Sequence, residues 1–107
     1  MIQMKYSADA VKAMVANPQD RKKAAAAAIE AAGGKLLSVY FTFGAKDVVV
    51  IYEAPDAVSA IGLSMVLGAS GAASDVETTP LLTSAEAMAA MTHAAKSLPS
   101  YKTPMKK

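Results

Sequence analysis

Asp47 to Glu53 reads Asp-Val-Val-Val-Ile-Tyr-Glu, with β-branched and apolar residues at consecutive positions. Side chains alternate between the two faces of a strand, so this segment presents apolar surface on both. Strands of that kind are normally covered on both sides. A chain of 107 residues is the size of one domain. It buries roughly 65% of its unfolded surface, enough for one modest core. The sequence therefore has to cover one face of a sheet with its own helices and find a second cover elsewhere.

The neighbouring segments supply the rest of such a sheet. Ile2-Gln3-Met4-Lys5-Tyr6 alternates apolar with polar residues, the period of a half-buried strand. Ser7 reads as an N-cap, with Asp9 in the first turn of a helix over Ala8 to Ala16. Asn17-Pro18 interrupts that helix, and Asn17 is placed to cap a second piece from Gln19 to Ala32, with Pro18 at its first position. The piece holds five consecutive alanines, Ala24 to Ala28, whose small side chains let a neighbour approach closely. Gly33-Gly34 ends it in the manner of a left-handed cap.

Leu36 to Phe43 reads as a strand with Leu37, Val39, Phe41 and Phe43 on one side and Leu36, Ser38, Tyr40 and Thr42 on the other. Gly44-Ala45-Lys46 links it to the Asp47–Glu53 strand as a hairpin. Asp56 caps the next helix, which Gly68 and Gly71 bracket at its end. Asp75 to Thr79 is a short fourth strand placed near an edge, and Ser84 to Lys96 a last helix.

The order is β-α-β-β-α-β with an added C-terminal helix, an α+β arrangement in which two helices pack on one face of a four-stranded antiparallel sheet. Leu36, Tyr40, Val49 and Ile51 are expected on the other face. The Ala57–Ser70 helix carries no charge on any side, which points to burial on more than one side. Two apolar surfaces per chain imply a homodimer or a higher homo-oligomer. Residues 1–96 form the expected single domain. Residues 97–107, with Pro99 and Pro104 and only basic charges, read as a disordered tail.

Composition removes whole classes of chemistry. With no cysteine there is no disulfide scaffold, thiolate metal site or thiol nucleophile. A single histidine excludes mechanisms that need two in one chain. Lysines without arginine or an aromatic platform in the tail make a poor nucleic-acid signature. Met1 to Asn17 lacks the basic and apolar blocks of a signal peptide. Ala57 to Ser74 is uncharged but diluted by serine and glycine, so no membrane span is expected. These features place the protein in the cytoplasm.

Thr42-Phe43-Gly44-Ala45-Lys46-Asp47, the apolar strand after it, and Glu53-Ala54-Pro55-Asp56 resemble the signature of the GYD-domain family. The glycine pair Gly33-Gly34 followed by Lys35 fits the same family. The resemblance implies a ferredoxin-like fold of the dimeric α/β-barrel type, and no particular reaction. Gly44, Asp47, Glu53, Pro55 and Asp56 match the pattern, whereas Lys46 stands where the family has tyrosine. The role of that tyrosine is therefore not carried over.

Few side chains offer chemistry. His93 in the last helix and Asp47 at the hairpin are the candidate acid–base groups. Their structural alternatives are an exposed helix histidine and a carboxylate that fixes a turn. Asp47 and Glu53 lie about 20 Å apart on one strand and cannot form a paired-carboxylate site. Tyr40, Thr42 and Tyr52 are the candidate ligand-binding residues, or else they hydrogen-bond across a subunit interface. No cofactor motif and no metal site is expected. Two functions follow: an oligomeric module binding an apolar small molecule, or a cofactor-independent oxygenase or isomerase acting on a hydrophobic or aromatic substrate. The second requires a closed pocket holding at least two of His93, Asp47, Tyr40 and Tyr52. A third reading has the basic tail of a ligand-sensing oligomer docking an acidic partner.

Overall fold

The alternating segment Ile2–Tyr6 becomes the strand on which the sheet is built. In the computed structural model, which describes residues 1–105, the elements are β1 (Ile2–Tyr6), α1 (Ala8–Ala16), α2 (Arg21–Ala31), β2 (Lys35–Phe41), β3 (Val48–Glu53), α3 (Ala57–Ala69), β4 (Ala73–Thr78) and α4 (Ser84–Ser97). A single 3₁₀ turn, Leu98–Ser100, follows α4. The sheet order is β2-β3-β1-β4 with every neighbour antiparallel, compatible with a ferredoxin-like fold. As expected, β4 is an edge strand.

Register decides which residues share a face. Ile2 and Val39 both lie opposite Val50, and Met4 and Phe41 both lie opposite Val48. This face carries the core: Ile2, Met4, Tyr6, Val48, Val50 and Ala73 are buried there with Ile29 of α2 and Leu63 of α3. On the other face Tyr40 lies opposite Val49, and Ser38 opposite Ile51. Leu36, expected on that second face, is instead paired with Tyr52 on the core face, because the register shifts between Leu36 and Ser38. A bulge of one residue flips everything before it to the opposite side, which leaves Leu37 exposed.

Three element boundaries differ from the sequence reading, each for a local reason. Asn17 closes α1 through its backbone N–H to the Ala13 carbonyl, and α2 is capped by Asp20, whose carboxylate accepts from the Lys22 N–H at 2.9 Å. A charged acceptor suits the positive end of a helix better than the amide at Asn17. β2 stops at Phe41, because the N–H groups of Thr42 and Phe43 turn to the Asp47 carbonyl and Phe43 takes a left-handed φ of 43°. β4 starts at Ala73 and passes a second bulge opposite Gln3–Lys5, where Asp75 has φ 51°. The glycine pair acts as expected. Gly33 has φ 84°, and a Cβ on Gly34 would lie 2.3 Å from the Glu53 carbonyl oxygen.

Of the segment expected to be a tail, Ser97 completes α4, Leu98–Ser100 form the 3₁₀ turn, and Lys106 and Lys107 lie outside the described residues. Among the described residues no helix is long and apolar enough to cross a membrane. The overall shape is elongated, 61 × 31 × 22 Å, with a radius of gyration of 18.0 Å where a compact chain of this length has about 13 Å. α4 contributes to this length: it buries no residue and packs mainly on the turn after it.

Two carboxylates cap the later helices. Asp56 accepts from the Ser59 N–H at 2.7 Å, and Glu86 reaches back to the Thr83 N–H at 3.0 Å in a capping box. These backbone donors hold both carboxyls below the usual carboxylate range. A depressed folded-state pKa stabilises the fold above the unfolded value, and that stabilisation is lost as pH falls through the folded one. The Tm gap between wild type and the Asp56→Asn/Glu86→Gln variant is therefore expected to narrow as pH drops below about 4. Thermal melts followed by circular dichroism check this, and a gap that stays constant down to strong acid contradicts it.

Candidate functional site

The helices sit over opposite edges of the sheet: α2 packs on β2, and α3 on β4. The central strands β1 and β3 are left to be covered from the sides, and α2 turns small residues toward them. Arg21, Ala25 and Ala28 follow one another at helical spacing on one face of α2, with Ala24 beside them. A methyl group cannot reach the opposite helix. The result is a cavity of about 250 Å³. Its floor includes Ile2, Met4, Val48 and Val50, and its far wall is Leu63, Val66 and Leu67 of α3.

The lining is nearly all apolar. Its polar members are Tyr6, Arg21 and Ser70. The Ser70 hydroxyl is engaged with the Leu67 carbonyl at 2.8 Å. The ring of Tyr6 is stacked on Phe41, with centroids 6.3 Å apart, and Phe41 on Phe43 at 6.0 Å. Arg21 donates to the Gln19 side chain at 2.8 Å and forms no ion pair among the described residues. The cavity thus offers an apolar interior and one cation without a carboxylate partner.

None of the residues expected from the sequence to carry function lines this cavity. Asp47 accepts from the Tyr6 N–H at 2.8 Å, while its own N–H donates to the Met4 carbonyl at 2.9 Å. It ties the hairpin to β1, the structural alternative. Thr42 donates its hydroxyl to the Lys46 carbonyl at 2.7 Å within the same loop. Tyr40 is exposed on the open sheet face, whereas Tyr52 points to the helix face, where burial pushes its phenol pKa up. Tyr52 lines a different, more polar hollow of about 640 Å³ between the end of β3, the start of α3 and Thr79–Thr83, together with Glu53 and Glu86. His93 is exposed on α4. The five candidates are therefore dispersed. Among the described residues no cluster of histidine, aspartate or glutamate is arranged to hold a metal.

Lys46 has a different task. Its ammonium contacts Asp75 at 2.5 Å and Glu77 at 3.5 Å, joining the hairpin loop to the far edge strand across β1. The hydrogen bond it donates to Asp75 raises its pKa, with both acidic charges adding to the effect. Asp75 is the bulged residue of β4 at positive φ, so the loop and the irregular edge are fastened to each other.

The hairpin that carries Gly44, Lys46 and Asp47 is also where the sequence resemblance is strongest, and the comparison with known families agrees. A model of the GYD domain matches residues 1–91. The chain belongs to the GYD-domain family. No curated protein and no solved structure matches it. The match takes in the sheet and both sheet-packing helices and ends within α4. Within this GYD domain, Lys46 has two carboxylate partners on β4.

Sequence reading missed the cavity because it took the alanine run as a place where a neighbour comes close. The signal was present: a helix whose inward face is alanine, opposite strands rich in valine, has too little volume to fill a two-layer core. Asp47 generates a test of the structural assignment. Asp47→Ala leaves the half-buried Tyr6 N–H without its acceptor and is expected to destabilise the fold by about 1–3 kcal/mol. Urea titration measures the loss, and an unchanged midpoint contradicts the structural role.

Proposed function

We propose that this GYD domain is a cytoplasmic, homo-oligomeric binding module of the dimeric α/β-barrel type, and that it takes an apolar small molecule in the cavity between α2, α3 and the sheet. The cavity is the observation that carries this reading. A hollow of about 250 Å³ leaves its apolar lining without packing partners on one side. Leucine in place of two alanines would take up a large part of it. A bound apolar molecule restores the missing contacts. Apolar cavities of about 150 Å³ accept benzene, so this one suits a larger guest, such as a ring with a short chain or a linear chain of about eight carbons. Arg21 at the wall favours an acidic end on that guest.

Oligomerisation rests on the sheet face opposite the helices, where Tyr40 is exposed and Val49 and Ile51 are only half-buried. The oxygenase or isomerase alternative depended on polar groups meeting in a pocket. The cavity holds none of His93, Asp47, Tyr40 or Tyr52, so the geometry favours binding over catalysis.

Calorimetric titration with octanoate and octanol tests the assignment. Octanoate is expected to bind more tightly, and Arg21→Gln to remove that preference while leaving octanol binding in place. Ala28→Leu takes up part of the cavity beside the core, so it should weaken binding of both and raise stability by about 1–2 kcal/mol. An Ala28→Leu protein that binds as before, with unchanged stability, overturns the reading.

A further inference from the structure

The apolar residues of α3 lie on two opposite sides. Leu63 is buried and Leu67 packs beside the core, while Val58, Ile61, Met65 and Ala69 fall on the side facing away from the sheet. Val58 is 83% exposed and Met65 68%. No charged residue occurs anywhere on the helix, and a Cβ built on Gly62 in the middle of that outer side meets nothing within 4 Å.

α4 has the matching feature. Met88, Met91, Ala95 and Leu98 recur at spacings of three, four and three residues, the same spacings as Val58, Ile61, Met65 and Gly68 of α3. Met88 is 66% exposed and Met91 67%. Glu86, His93 and Lys96 lie on the opposite side of α4. An isolated helix of this length is marginal in water, and most helical stability comes from packing an amphipathic face.

We infer that α4 of one molecule docks antiparallel along the outer face of α3 of a second copy of this chain. The inference rests on the homo-oligomeric reading above and adds a contact between helices to the one on the open sheet face. Antiparallel seating places Met91 against Met65, Ala95 against Ile61, Met88 against Gly68 and Ala69, and Leu98 against Val58, so two of the four layers pair a large residue with a small one and the other two are apolar on both sides. It keeps Glu86, His93 and Lys96 on the solvent side of α4 and sets no charged residue of α4 against the uncharged α3. The large apolar side chains of the two stripes are each worth roughly 60–120 Å² when fully exposed. With the small residues between them, two reciprocal contacts bury on the order of 1,000 Å², close to the ~1,200 Å² at which specific stable interfaces begin. Val66 lines the cavity and flanks the outer stripe, so the docked helix also covers the cavity rim from a neighbouring molecule.

The natural chain has no cysteine, which makes cross-linking selective. Met65→Cys and Met91→Cys are placed on separate full-length chains of different tag length, mixed, and treated with a short bismaleimide. Both side chains are exposed, so the substitutions leave the core intact. The expected product is the mixed pair, in at least fivefold excess over a control that pairs Met65→Cys with His93→Cys on the far side of α4. Light scattering of the untreated protein is read alongside. A dimer or larger species without the mixed product overturns the docking of α4 while leaving the oligomer. A monomer at micromolar concentration overturns both. A Met65→Cys/Met91→Cys chain that links within itself at monomer mass shows that α4 folds back on its own α3, and also overturns the inference.

Discussion

Everything in this domain hangs on β1 being hydrogen-bonded on both sides. Five residues, Ile2–Tyr6, pair with β3 along one edge and β4 along the other, and their inward side chains are half of the fully covered core strand residues. The strand is too short to hold its register by length alone. Asp47 clamps its far end through the Tyr6 N–H, and the chain's amino group binds the Thr79 carbonyl at 2.7 Å at the near end. Lys46 adds a tie across β1 to the bulged edge at Asp75. These contacts keep Met4 and Tyr6 on the helix face, where a slip of one residue would exchange them for Gln3 and Lys5.

With the sheet held in this way, helix placement sets the interior. Both helices of the split βαβ units settle over edge strands, and the alanines of α2 do not close the gap between them. The same sheet could have been packed solid with larger residues at the same positions. What separates a solid core from a hollow one here is a difference of side-chain volume on one helix face, which leaves topology unchanged. α3 is apolar on both sides, with one side packed on its own core and the other exposed.

Strands and helices were legible from local pattern wherever one residue type dominated an element. The alternation in β1, the valine run of β3, the Ser7 and Asp56 caps and the Gly33 turn all carry a signal within a few residues. The face assignments of Tyr40, Val49, Ile51 and Tyr52 were legible too, because one hairpin register determines all four. Leu36 was not, since nothing in Leu-Leu-Ser announces a bulge. The chemistry was the least legible part. His93, Asp47, Thr42, Tyr40 and Tyr52 were singled out by residue type, yet the fold gives Asp47 and Thr42 to the hairpin and spreads the others over separate surfaces.

By itself the sequence determined the order of elements, the antiparallel class of the sheet, membership of the GYD family and an excess of apolar surface over what one copy buries. Those properties follow from periodicity, capping and composition, which act over a few residues or over the chain as a whole. Only the tertiary structure decided that the space over β1 and β3 is a cavity, that Arg21 borders it, and that α4 stands away from its own domain. Each of these depends on distances between elements far apart in the chain, where the volume of an alanine on one helix counts only once its position relative to another helix is known.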